Sequence, residues 1–246
     1  MRLESKTAIV TGAASGFGAG IARKFAAEGA RVLIADINGE SAQALAAELN
    51  QTAQQVDVAS AASVAALAEA ALAWFGKLDI LVNNAGVTHL PSPMEEVSEA
   101  DFDRVLAVNT KSVYLTARAL VPHFKQNRAG VILNIASTAA VSPRPRLTWY
   151  NASKGWLVTA TKSMAVELAP LGIRVNALNP VAGETPLLRS FMGEDTPEVR
   201  ARFLSTIPLG RFSTPEDIAN AAAFLCSDEA SMITGVALEV DGGRVI

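Results

Sequence analysis

Tyr150 and Lys154 are the two residues whose types and spacing point most directly to chemistry. They lie four positions apart at the start of a predicted helix, so their side chains share one face of it. The pKa of a free tyrosine is about 10, too high for an efficient base near neutral pH, and a neighbouring ammonium favours the phenolate. The pair therefore predicts a general acid/base that takes or returns the proton of a hydroxyl group. Taken alone, the same spacing is more typical of an inconsequential pair on a helix surface.

Ser137 is a third polar residue that can reach the same place. It ends the predicted strand Val131–Ser137, 13 residues before Tyr150. Because ligands of open α/β sheets bind beyond the carboxyl ends of the strands, Ser137 can meet Tyr150 and Lys154 there. We expect its hydroxyl to hydrogen-bond a substrate oxygen and to polarise a carbonyl group.

A glycine-rich loop follows the first predicted strand, Thr7–Thr11, and opens the first predicted helix, Phe17–Glu28. Its sequence is Thr11-Gly12-Ala13-Ala14-Ser15-Gly16-Phe17-Gly18. Glycines permit a tight turn and a close backbone approach, so a pyrophosphate can lie on the helix N-terminus. The spacing is not G-x-G-x-x-G, and such a loop alone is weak support. Its place in the first βα unit favours a dinucleotide site.

Asp36 ends the second predicted strand, 18 residues after Gly18. A carboxylate at this point accepts hydrogen bonds from the hydroxyls of the adenosine ribose and repels a 2′-phosphate. The positions that would carry a cation for that phosphate hold Ser15 and Ile37. We therefore predict NAD as the cofactor rather than NADP.

The ends of the third and fourth predicted strands add further polar groups. Asp57-Val58 ends the third strand, where the carboxylate can accept from an adenine amino group; capping of the next helix is an alternative for Asp57. The fourth strand, Asp79–Asn83, closes with Asn83-Asn84-Ala85-Gly86. Asn and Gly are also typical of an ordinary turn, but the combination with the glycine loop favours a functional role.

The elements that must position these residues alternate along the chain. Short β-branched runs alternate with longer amphipathic stretches, which predicts βαβ units and a single-domain, doubly wound Rossmann fold with a seven-stranded parallel sheet. The remaining predicted strands are Arg31–Asp36, a run ending at Val58, Ile173–Leu178 and Ala237–Val240. The remaining predicted helices are Ser41–Leu49, a helix from Ser60 to Gly76, one from about Asp101 to Lys125, Tyr150–Ala169, and one capped by Thr214.

Composition excludes several classes of function. The net charge of −3 over 246 residues provides no basic field for nucleic acid or an anionic membrane. The apolar runs are interrupted by charge before they reach the length of a membrane span. One cysteine and two histidines exclude an internal disulfide and argue against a metal site. We expect a cytoplasmic protein with no metal that binds a small-molecule substrate.

The motifs together resemble the short, single-domain branch of the short-chain dehydrogenase/reductase family, over essentially the whole chain, and are similar to members such as 3-oxoacyl-ACP reductases and glucose 1-dehydrogenases. The residues that carry the resemblance are Thr11-Gly12, Gly16, Gly18, Asp57, Asn83-Asn84-Ala85-Gly86, Asn109, Ser137, Tyr150, Lys154, Val175-Asn176-Ala177 and Val240-Asp241-Gly242-Gly243.

The resemblance implies a catalytic tetrad of Asn109, Ser137, Tyr150 and Lys154. Asn109 would bind a water that links Lys154 to solvent; a polar residue at a helix kink is the alternative for it. The cofactor contacts expected from the motifs and the resemblance are Gly12, Ser15, Gly16, Phe17, Gly18, Asp36, Ile37, Asp57, Val58, Asn84, Ala85, Gly86, Tyr150, Lys154, Pro180 and Thr185.

Two departures from the family pattern affect the expected geometry after Pro180 and the expected substrate. Val181 follows Pro180 where the family usually has glycine, which puts the local geometry in doubt. Val131 and Leu171 stand where carrier-protein reductases typically carry arginines.

The leading hypothesis is an NAD(H)-linked secondary-alcohol dehydrogenase or ketone reductase. A 3-oxoacyl-ACP or CoA reductase and an aldose 1-dehydrogenase remain open, while the intact tetrad argues against a binding-only protein.

The region around residues 183–210 is expected to form a small substrate lid with two short helices. Arg144 and Arg146 can bind an anionic substrate group, but an exposed or intersubunit position is the commoner case and the one we expect. His89 is expected to have a structural role near the pocket.

The C-terminal Val240–Ile246 resembles that of family members that assemble as homotetramers, so a homotetramer is expected.

Overall fold

The computed structural model describes residues 1–246. Its strands are β1 (Thr7–Thr11), β2 (Arg31–Asp36), β3 (Thr52–Gln55), β4 (Ile80–Asn83), β5 (Gly130–Ile135), β6 (Ile173–Pro180) and β7 (Ala237–Val240). Its helices are α1 (Gly16–Ala27), α2 (Gly39–Leu49), α3 (Ala61–Phe75), α4 (Glu99–Leu106), α5 (Ser112–Asn127), α6 (Thr148–Leu168), α7 (Leu188–Met192), α8 (Pro197–Leu204) and α9 (Pro215–Cys226).

The seven strands form one parallel sheet in the order β3-β2-β1-β4-β5-β6-β7. The chain runs outward from β1 to β3 and then crosses to β4, so the order reverses between β1 and β4. Ligands of doubly wound sheets bind at such a switch point. The predicted fold class is therefore confirmed.

Helices cover both faces of the sheet, so the central strands are buried on both sides. Ile9 and Leu33 pack toward α3, α5 and α6, whereas Val10 and Ile34 pack toward α1, α2 and α9. This alternation follows from the two-residue period of a strand. None of the helices combines the length and the apolarity that are needed to cross a membrane.

Three of the differences from the predicted element boundaries affect residues of the predicted site. β3 ends at Gln55. Val56 and Val58, which were predicted to end this strand, are buried but follow its last residue. β5 ends at Ile135, and Ser137 instead begins a 3₁₀ turn. The predicted helix from Asp101 to Lys125 is divided into α4 and α5 by a π-helical segment, Ala107–Lys111.

The N-terminus of α9 is stabilised by a capping box. The Asp217 carboxylate accepts from the backbone N–H of Thr214 at 2.8 Å, and the Thr214 hydroxyl accepts from the Asp217 N–H at 3.3 Å. Arg211 donates two hydrogen bonds to the same carboxylate, at 2.6 and 2.9 Å. The Arg211 guanidinium, followed by the hydrogen bonds of Thr214, holds the pKa of Asp217 well below its usual range.

We expect Asp217→Ala to lower the free energy of unfolding at pH 7 by about 1–2 kcal/mol, since the cap and its ion pair are lost together. The folded-state pKa is lowered, so this contribution is present above the unfolded-state pKa and declines as the pH falls below about 4. Urea unfolding at pH 7 and at pH 3–4 measures both effects. Glu216→Ala is the matched control, because Glu216 is exposed and makes no side-chain hydrogen bond; equal losses for the two variants would contradict the prediction.

Candidate active site

A cavity of about 460 Å³ lies at the carboxyl edge of the sheet, lined by residues that follow β1 to β6 and by residues of the lid. Most of the residues singled out in the sequence meet in its wall. They are Gly12, Ser15, Gly16, Phe17, Asp36, Ile37, Asp57, Val58, Asn84, Ala85, Gly86, Ser137, Tyr150, Lys154, Pro180 and Thr185. Of the predicted catalytic and cofactor-binding residues, Gly18 and Asn109 are the two that do not line it.

The glycine loop needs glycine for two different reasons. Gly12 has a φ of +61°, and a Cβ there would lie 2.8 Å from the Cα of Ala85. Gly18 lies behind the cavity, where a Cβ would be 2.2 Å from the carbonyl oxygen of Gly12, so it permits α1 to pack against the loop. Ser15 makes no capping hydrogen bond, and the N–H groups of Phe17 and Gly18 donate to no protein atom. These free donors at a helix N-terminus suit a pyrophosphate.

Asp36 is held rigidly beside this loop. Its carboxylate oxygens accept from the N–H groups of Ala14 and Asn38, each at 2.9 Å. Each oxygen keeps a lone pair for a further donor. The neighbouring Ile37 is 68% exposed and brings no positive charge to this end of the cavity.

Asp57 serves the turn before α3 as well as lining the cavity. It accepts from the N–H of Ala59 at 2.9 Å, while Ser60 is the residue that caps α3 through the N–H of Ser63. The capping alternative is thus incorrect for Asp57 itself, which shapes the turn that leads into the cap.

The Asn83-Asn84-Ala85-Gly86 segment ties β4 to the glycine loop. The Asn84 amide donates to the carbonyl oxygens of Thr11 and Gly12 at 2.8 and 2.9 Å, and the Thr11 hydroxyl accepts from the N–H groups of Asn84 and Ala85. Asn83 is buried and donates to Asn134 on β5 at 2.9 Å. The segment is therefore a structural joint between three strand ends and not an ordinary turn.

Tyr150 and Lys154 are both buried at the beginning of α6. The Lys154 Nζ donates to the carbonyl oxygen of Ile135 at 2.8 Å and lies 5.9 Å from the centre of the Tyr150 ring. Ser137 lies beside Tyr150, and its Oγ accepts from the N–H of Ala139 at 3.1 Å, which leaves its own proton free to donate.

Burial controls the ionisation of both groups. It raises the pKa of Tyr150 to about 12, against the smaller opposing effect of a hydrogen bond with Ser137. It also lowers the pKa of Lys154 to about 8. Lys154 is not among the groups that shift the pKa of Tyr150, so the lowering expected from Lys154 is not found in the protein itself, where burial sets the direction of the shift.

Asn109 lies in the π-helical segment between α4 and α5, as the alternative of a polar residue at a kink suggested. Its amide pairs with both backbone groups of Val87, at 2.8 and 2.9 Å, and donates to the Ser153 hydroxyl at 3.0 Å. It therefore fixes the backbone directly after Gly86. A Cβ on Gly86 would lie 3.3 Å from the Lys154 Nζ and 3.6 Å from the Asn109 Oδ1, so the two polar groups flank this glycine.

The lid contains the two expected short helices, α7 and α8, and it covers the site with apolar groups. Val181 is buried against Leu188, Phe203 and other lid residues, so the side chain that departs from the family pattern anchors the lid. The Phe191 ring contacts the Tyr150 ring, with centroids 5.0 Å apart. Phe191 could not be singled out from the sequence, because only the fold of the lid shows which of its aromatic residues faces α6.

The two arginines after Ser137 differ in position. Arg146 is exposed, as expected. Arg144 is only partly exposed and lines the cavity, which corrects the expectation of a surface position. The physical reason is Phe203, whose ring lies 4.1 Å from the Arg144 guanidinium carbon. His89 is buried, pairs with the carbonyl oxygen of Leu90 at 2.8 Å and does not line the cavity.

Known proteins resemble the chain over its full length. A protein-family model described as enoyl-(acyl carrier protein) reductase matches residues 12–244. A 4-formylbenzenesulfonate dehydrogenase of Comamonas testosteroni is 53% identical, with 100% of both chains covered. A D-threitol dehydrogenase of Mycolicibacterium smegmatis is 44% identical over 100% of this chain and 95% of its own.

A solved structure is also similar to this chain, both in sequence and in fold. The crystal structure of a 3-ketoacyl-(acyl-carrier-protein) reductase from Brucella melitensis, complexed with NADH, is 55% identical with a TM-score of 0.95. The match covers 99% of this chain and 100% of that one.

Proposed function

Because this chain belongs to the short-chain dehydrogenase/reductase family, we propose that it is a cytoplasmic NAD(H)-dependent enzyme that interconverts a secondary alcohol and a ketone on a small substrate. The family makes it an oxidoreductase acting on CH–OH groups. The observation that carries the finer proposal is that Ser137, Tyr150 and Lys154 share one cavity with the glycine loop and Asp36.

A nicotinamide dinucleotide fits the residues that are present. The unpaired N–H groups at the start of α1 suit its pyrophosphate, and Asp36 suits the hydroxyls of its adenosine ribose. Lys154 and Thr185 would hold the nicotinamide half. When bound, this cofactor accepts or supplies a hydride at the substrate carbon.

The protein residues then handle the proton. In the direction of reduction, the substrate carbonyl oxygen accepts hydrogen bonds from the hydroxyls of Ser137 and Tyr150. Tyr150 holds its proton at neutral pH and would donate it to that oxygen. The Lys154 ammonium stabilises the resulting phenolate. In oxidation the same groups act in reverse, with Tyr150 taking the proton of the alcohol.

Two other reactions of the same class compete with this proposal. The resemblance to a ketoacyl reductase favours a 3-oxoacyl thioester, but Val131 and Leu171 pack against the core and offer no charge to an acidic carrier protein. An aldose 1-dehydrogenase is the other alternative. A panel of ketones, acyl thioesters, sugars and aromatic alcohols separates them, and aromatic substrates belong in it because of the 53% identical relative.

We expect Tyr150→Phe to lower kcat roughly 10²- to 10⁴-fold, because the general acid/base is removed. NADH binding, measured by fluorescence titration, should be retained, since the hydroxyl is not needed to fill the cavity. Tyr114→Phe is a matched control at the only other tyrosine, whose side chain is exposed. Unchanged turnover in Tyr150→Phe would refute the assignment of the base.

We expect kcat/KM to be at least about 100-fold higher with NADH than with NADPH, because a 2′-phosphate would face the Asp36 carboxylate. Asp36→Ala should reduce this ratio by removing the repulsion. Asp57→Ala is the control, since Asp57 lines the same cavity but is assigned to the adenine and should affect both cofactors alike. An efficiency with NADPH equal to or above that with NADH would contradict the assignment.

We also propose that the protein is a homotetramer. The resemblance of the C-terminal Val240–Ile246 to that of tetrameric family members supports this, and α5 and α6 expose apolar side chains that an interface would cover, with Tyr114 53%, Trp156 44% and Val166 79% exposed. Light scattering at micromolar concentration should give four times the mass of one chain. A monomeric mass would rule the assembly out.

A further inference from the structure

The charged residues that line the cavity divide into two groups. The carboxylates, Asp36 and Asp57, follow β2 and β3 at the end assigned to adenosine. The remaining two, Lys154 and Arg144, lie on α6 and just before it, and both are cations. No carboxylate lines the half of the cavity that faces Tyr150. Lys154 has a role in the proposed chemistry, whereas Arg144 has none.

Arg144 is held in a fixed position with most of its donors unused. Its guanidinium packs on the Phe203 ring and donates to the Thr206 hydroxyl at 3.2 Å. Its own carbonyl oxygen accepts from the Asn151 amide at 2.8 Å, which fixes the backbone. Only one of the five N–H groups of the guanidinium therefore has a protein acceptor. Arg144 forms no ion pair.

A second unpaired guanidinium lies close by. Arg244, near the C-terminus, donates to the hydroxyl of Ser142, another residue of the cavity wall, at 2.9 Å. Its Nε is buried without an acceptor, and it too forms no ion pair. Burial, and then repulsion by Arg244, lowers the pKa of Arg144 to about 10, so Arg144 still carries its charge at neutral pH.

Two partly buried cations without a counterion are costly, and an anion placed between or beside them offsets that cost. A planar guanidinium matches a carboxylate or a sulfonate, whose oxygens accept parallel N–H donors. Phe191 and Phe203 line the same part of the cavity and provide apolar surface for a flat substrate.

We propose that the substrate is an aromatic or similarly apolar carbonyl compound, or the matching alcohol, that carries a carboxylate or sulfonate bound by Arg144, to whose positive charge Arg244 adds. This assignment rests on the proposed function for the position of the reacting carbon. It makes Arg144 a specificity-determining residue, because it binds the part of the substrate that does not react.

The test uses three ketones that differ in charge: 4-acetylbenzoate, 4-acetylbenzenesulfonate and the neutral methyl 4-acetylbenzoate. With NADH and the wild-type enzyme, kcat/KM should be at least 10-fold higher for the two anions, because each forms charge-assisted hydrogen bonds with the guanidinium. Arg144→Met should lower kcat/KM for the anions roughly 10- to 100-fold and leave the ester almost unchanged. Arg144→Lys should lie between, because the charge is kept and the planar fork is lost.

Arg202→Met is the matched control, since Arg202 is an exposed lid arginine that does not line the cavity. It should leave the preference for anions intact. The inference is overturned if wild type reduces the ester as well as the anions, or if Arg144→Met affects all three ketones equally. It is also overturned if Arg144→Met changes only the mass in solution, which would make Arg144 an intersubunit contact.

A binding measurement separates this inference from the proposed reaction. Calorimetric titration of the three ketones into wild type and Arg144→Met, both saturated with NAD⁺, needs no turnover. Tighter binding of the anions that depends on Arg144, without reduction of any ketone by NADH, would support the anion site and refute the proposed reaction. Reduction of the ketones without any preference for the anions would support the proposed reaction and refute the anion site. Failure of both anions to bind would overturn the site.

Discussion

The side-by-side burial of Tyr150 and Lys154 is the constraint on which the rest of the site depends. Burial raises the pKa of the Tyr150 phenol and lowers the pKa of the Lys154 ammonium, and each buried group therefore needs a hydrogen-bond partner. Lys154 donates to the carbonyl oxygen of Ile135 at the end of β5, and Tyr150 pairs with Ser137, two residues later. The start of α6 is thereby joined to the end of β5, and the Phe191 ring packs edge-on against the Tyr150 ring.

The parallel sheet makes this arrangement possible, because the ends of its strands lie side by side. Asn84 at the end of β4 bonds to the glycine loop after β1, and Asn83 bonds to β5. Asn109 then fixes Val87 in the same segment. The proposed dinucleotide cradle and the proposed acid/base pair are consequently parts of one hydrogen-bonded edge, and a shift of one strand would displace both.

The strands and most of the cavity wall were predictable, because β-branched runs and local motifs depend on neighbouring residues. Features that depend on distant contacts were not. Arg144 is partly buried because Phe203, far along the chain, folds over it. Val181 is accommodated after Pro180 because its side chain packs into an apolar cluster of lid residues. The direction of the Tyr150 pKa shift likewise required the depth of burial, which spacing along a helix does not reveal.

The distribution of charge in the cavity follows from the order of the strands. Asp36 and Asp57 end up on one side because β2 and β3 lie on the β1 side of the switch point, whereas α6 and the residues before it follow β5 on the other side. A ligand that spans the cavity therefore meets carboxylates at the end proposed for the adenosine and cations at the end proposed for proton transfer. Because carboxylates repel anionic groups, the same topology would orient the proposed dinucleotide and disfavour a further anionic group at its adenosine end.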